Sequence, residues 1–129
     1  MTAVHDLLGL ASIAGALTLV VVATWSVIAG RRSGGRSDHR YAVDRAVLAE
    51  IALVAVAGLV GLALLGAGSR PADPLHFLYG PAALISMPIA IAIGARAGPA
   101  GRSRLRRDIW TAGGGIVLLG LGLRLIATG

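Results

Sequence analysis

The sequence predicts an all-α integral membrane protein: a four-helix bundle built from two duplicated helix hairpins, with both termini outside. Three observations predict it. First, the 129 residues are 56% hydrophobic and only 14% charged, whereas soluble domains are about 45–50% apolar and about 25% charged. Second, the apolar residues fall into four blocks, each near the roughly 20 residues a helix needs to cross hydrocarbon. Third, the basic residues, all of them arginine, cluster in two of the three segments between those blocks.

The first block covers residues 7–30 and runs into the stop-transfer pattern RRSGGR. The preceding MTAVHDLLGL has no basic stretch, so it does not read as a cleaved signal peptide. The second block covers residues 46–67, the third 75–95 and the fourth 109–127, giving one four-span domain over residues 1–129. Inside a bilayer no backbone polar group can go unpaired, so blocks of this length must be helical. Small residues four apart (Ala11 and Gly15, Ala57 and Gly61, Ala90 and Gly94) and the glycines Gly113, Gly114, Gly115, Gly120 and Gly122 predict close helix packing.

Arg31, Arg32, Arg36, Arg40 and Arg45 follow the first block, and Arg96, Arg102, Arg104, Arg106 and Arg107 follow the third. The segment between the second and third blocks holds only Arg70, offset by Asp73. The positive-inside rule puts the two Arg-rich segments in the cytoplasm and both termini outside. Trp25, Tyr41 and Trp110 then fall at the cytoplasmic interface. The expected location is a bacterial inner membrane. The expected partners are the lipid bilayer and a larger membrane complex or further copies of the chain. The net charge of +6 is explained by topology, which argues against nucleic acid as a partner. The absence of cysteine excludes disulfides and thiolate chemistry.

The first and third spans open alike. HDLLG at residues 5–9 and HFLYG at 76–80 both read His-x-Leu-x-Gly, and each precedes an apolar block and an Arg-rich segment. The second and fourth spans each open on an Asp beside an Arg, Asp44–Arg45 and Arg107–Asp108. This predicts a parallel repeat about an axis along the membrane normal. Spans one and three would be diagonal, with His5 and His76 facing each other near the outer side. Two facing imidazoles in a four-helix bundle are one way to hold a haem b. Arg124 and Tyr79 are the candidate neighbours, with Arg124 meeting a propionate. The same pair, with Asp6 or Asp73, is the candidate metal site, because imidazole and carboxylate suit zinc, copper or iron. The structural alternative is that both histidines are interfacial polar residues and that Arg124 snorkels to the headgroups.

Asp73–Pro74 reads as a helix N-cap with proline at the first helical position, and Asp44 and Asp108 are expected to cap spans two and four. Pro81 and Pro88 should kink or loosen span three. Glu50 is expected to pair with Arg45 or an arginine of the other loop, or to serve as a proton-coupled carboxylate. His39, in a polar loop, is assigned no role. No catalytic constellation is present, and an enzyme is not the expected class.

Four spans with the pair His5 and His76 at one face resemble the haem-bearing four-helix units of the cytochrome b561 and haem A synthase type. The resemblance implies one bis-histidine haem at most, in electron transfer, haem handling or a respiratory complex. The ExxHR-like pattern expected near a haem A synthase ligand is absent. DPLHFLYG and the closing LRLIATG also resemble small bacterial membrane proteins, and that resemblance implies no activity. The other expected classes are a cofactor-free accessory subunit and a small proton-coupled transporter.

Overall fold

The computed structural model describes residues 2–32, 40–96 and 100–128. Four helices follow one another: α1 (Thr2–Arg32), α2 (Arg40–Gly66), α3 (His76–Ala95) and α4 (Ala100–Thr128). All four are long and apolar enough to cross a membrane. The chain is a multi-pass membrane protein with the architecture of an all-α four-helix bundle.

The helices pack in an unequal ring. α4 lies along both α1 and α3, α2 lies along α1, and the seam between α2 and α3 is thin. Ala16, Leu19, Val43, Val47, Ala83, Met87 and Leu118 fill the centre. Leu7, Leu10, Val21, Leu48, Leu59 and Leu62 point away from it and are exposed. A large apolar exterior around a core of small side chains is what helices in lipid require, because burial away from water no longer drives their association.

Glycine explains the central place of α4. A Cβ on Gly114 would stand 2.6 Å from the Ala90 Cβ of α3, and one on Gly115 would stand 2.9 Å from the Val20 Cγ2 of α1. Two consecutive positions without side chains therefore let α4 approach two neighbours at once. Gly94 meets the Arg107 backbone in the same way, at 3.1 Å. The small-residue pair Ala90 and Gly94 thus serves packing, as its spacing predicted.

The helix starts differ from expectation. α2 begins at Arg40 and α4 at Ala100, so Asp44 and Asp108 lie inside helices and cap neither. Helix geometry extends past the apolar blocks into the Arg-rich segments, and a hydropathy pattern sees only the apolar part. α3 begins at His76 with Leu75 in the cap position and no side-chain cap. The Leu75 N–H donates to Asp73 Oδ1 at 2.8 Å, and the His76 N–H donates to the Asp73 carbonyl at 3.1 Å. Asp73 therefore builds a turn leading into the helix rather than the cap itself. α3 continues through Pro81 and Pro88 without interruption. α2 ends on a left-handed turn, with Gly68 at φ +89° and the Ser69 N–H donating to the Leu64 carbonyl at 3.0 Å, a conformation that glycine adopts without steric penalty. His39 and Arg36 lie outside the described residues.

Candidate functional site at the histidine end

The connectivity puts the starts of α1 and α3 and the ends of α2 and α4 at one end of the bundle, opposite the end that carries most of the arginines. His5 lies one turn into α1 and His76 opens α3. Their ring centroids are 6.0 Å apart, with the ring planes tilted by 50°. Both rings are partly buried. The Nδ1 atom of each is shielded from solvent and has no hydrogen-bond partner.

The other two helices complete the surroundings. On α2, a Cβ at Gly61 would lie 3.3 Å from His5 Cε1, so the absence of a side chain there makes room for the imidazole. On α4, the Leu125 backbone is within hydrogen-bonding reach of His76. One residue from each helix thus meets at the pair. Gly61 was read in the sequence as a packing residue, and Leu125 carried no signal at all.

The remaining candidates are placed elsewhere. Arg124 is exposed, Tyr79 is half-buried, and Asp6 is exposed. Asp73 is committed to the turn before α3. No group of three or more His, Cys, Asp or Glu side chains is poised to hold a metal among the described residues. The structure therefore brings together His5 and His76.

Compared with known proteins, the chain matches no family model, and no curated protein or solved structure shows significant similarity to it. The chemistry of the site has to be read from its own geometry.

Buried polar atoms are nearly always hydrogen-bonded, and each exception calls for an explanation such as a water or an ion. Leaving a buried donor or acceptor unpaired costs about 1–3 kcal/mol. Two such atoms occur here on neighbouring imidazoles tilted by 50°. Two metal–nitrogen bonds of about 2.0–2.1 Å would place the ligating nitrogens roughly 4 Å apart and the ring centres roughly 6 Å apart. The 6.0 Å between centroids therefore suits one atom held between the rings. A haem iron would need the same ring spacing, and also open flanks for the porphyrin plate. Gly61 of α2 lies beside His5, and the Leu125 backbone of α4 lies beside His76.

The arginine end is built differently. Arg107 Nη2 donates to Asp44 Oδ1 at 2.9 Å, tying α4 to α2. The buried Ser26 hydroxyl donates to Asp108 Oδ2 at 2.8 Å, tying α1 to α4. These two aspartates, expected as caps, instead join helices.

Proposed function

We propose that this is a small protein of the bacterial inner membrane, with both termini outside, that binds one transition-metal cation between His5 and His76 at its outer face. The observation that carries this reading is the pair of adjacent imidazoles, 6.0 Å apart between ring centres, each with a buried, unpartnered Nδ1 atom. Neutral imidazole suits copper, zinc, iron and nickel. The Leu125 backbone beside His76 resembles the outer-shell partner that fixes the tautomer of a metal-bound histidine. A structural zinc site closes four protein ligands around the ion, whereas two imidazoles leave coordination positions open. An ion held this way exchanges readily, which favours capture and delivery over scaffolding. A cofactor-free accessory subunit would leave both nitrogens unexplained.

The test is metal titration of the purified protein in mild detergent, with the bound ion counted per chain and its ligation read by X-ray absorption. The expected result is one copper- or zinc-class ion per chain with imidazole ligands. A haem b spectrum at one per chain would replace the ion with haem at the same residues. Protein that takes up neither would leave the histidines as packing residues.

A further inference from the structure

A second polar group lies deep in the bundle, well away from the histidines. Glu50 is on α2, four residues into the apolar block that begins at residue 46, or roughly 6 Å along the axis at 1.5 Å per residue, which places it about one turn inside the span from its arginine end. The side chain is only 2% exposed. Its Oε1 has no hydrogen-bond partner, and no cation pairs with it among the described residues. The expected pairing with Arg45 is not made, and Arg45 is exposed on the helix surface.

The carboxylate lies directly against Gly15 of α1, where a Cβ would displace it. Gly15 is thus the place on α1 that admits the acid. Beside them is a cleft of about 170 Å³ lined by Gly15, Thr18, Ala46, Ala49, Glu50 and Leu53. Thr18 and Ala49 are exposed, so the cleft opens sideways on the outside of the bundle, where the surroundings are lipid. The cleft is lined, besides Glu50, by Gly15 and Thr18 from α1 and Ala46, Ala49 and Leu53 from α2. None of these carries charge or titrates, and the Thr18 hydroxyl is already bonded to the Ala14 carbonyl at 2.8 Å.

An ionised carboxylate without a counter-ion or donors is very costly in such a place, and the group neutralises instead. Acids within membrane helices are rare and mark ion or proton sites. Glu50 has a partnerless oxygen, an opening beside it, and a glycine across from it whose missing side chain leaves the carboxylate its place. We propose that Glu50 is a proton-binding site within the membrane, reached sideways through the cleft between α1 and α2. The proton is carried on the carboxyl group itself, and the cleft is the route by which it, or a small apolar carrier of it, arrives and leaves.

An apolar carbodiimide, dicyclohexylcarbodiimide, tests this directly. A protonated carboxyl group gives its proton to a carbodiimide nitrogen and adds its oxygen to the central carbon. The acyl group then shifts to nitrogen, leaving a stable N-acylurea that mass spectrometry locates on the peptide. In the folded wild-type protein in detergent, the expected result is one adduct per chain on Glu50. It should form more slowly as pH rises, while the aspartates remain unmodified. E50Q should lose the adduct. Because the adduct is mapped on the wild-type chain, the result does not depend on that variant folding. G15A, which keeps the acid but fills its place, should react more slowly or on another face. Modification of Glu50 only by a water-soluble carbodiimide would overturn the lateral apolar route. No modification of Glu50 by either reagent would overturn the site. H5A and H76A should leave the reaction unchanged, so its outcome is separate from that of the metal site.

Discussion

The two ends of the bundle treat their polar side chains in opposite ways. At the arginine end, Asp44 meets Arg107 and Asp108 meets Ser26, so each of these aspartates finds a partner on another helix. At the histidine end, His5 and His76 lie against each other with an unpaired Nδ1 on each ring. Polar groups satisfied within the chain fix how helices sit together. Polar groups left unsatisfied carry a cost that a bound water or ion relieves. The contrast sets an end that joins helices against one whose polar atoms are left open.

The contrast is sharpest when a histidine is removed. H76A should weaken metal binding by at least about 100-fold, or about 2.8 kcal/mol, measured by competition with a chelating dye. H76L should leave the metal-free protein as stable as before, or more so, because replacing an unsatisfied polar group by an apolar one of similar shape is neutral or favourable. A clear loss of stability in metal-free H76L would mean that the histidine end is structural too, and the distinction between the ends would fall.

Next in size is a substitution that belongs to neither end. G114V forces a branched side chain into the Ala90 and Met87 side chains of α3, the nearest 2.6 Å from the new Cβ. Overpacking of this kind costs typically about 1–3 kcal/mol. Unfolding in mixed detergent should show it, and metal binding by the folded fraction should survive. Smaller still is S26A, which removes a buried hydroxyl from Asp108. Hydrogen bonds between membrane helices are worth about 0.6 kcal/mol on average and up to about 1.7 kcal/mol, so the loss should be roughly 1 kcal/mol by the same assay. Smallest is R107Q. Both partners of its ion pair are 39% exposed in their side chains, and exposed pairs contribute about 0.2–1 kcal/mol. That small effect should shrink further as salt is raised. If S26A and R107Q proved silent in stability and instead altered metal binding, the two ends would be coupled and not separate.

Much of this was legible in the residues. Four apolar blocks gave four helices, because hydrophobic length in lipid leaves the backbone no other solution. His-x-Leu-x-Gly pointed to His5 and His76 because starts of parallel spans fall at one end of any up-down bundle. Depth along a helix is readable from sequence, but the exposure of Arg124 depends on which neighbours the helix packs against. Asp44 and Asp108 misled because helices do not stop where hydropathy stops. Glu50 was visible as an acid within a span. That it lacks a partner, and lies against Gly15, is a contact between residues thirty-five apart in the chain that no pattern in either segment announces.

The glycines of α4 have one further consequence, which concerns the order of events as the chain is made. α4 emerges last of the four, yet it is the helix against which both α1 and α3 lie, while α2 and α3 meet along a thin seam. Until α4 enters the membrane, α3 has almost nothing to hold it, and the first hairpin waits beside a loosely tethered third span. Assembly of this protein should therefore be late and abrupt, with protease resistance of α3 arriving only when the last span is in place.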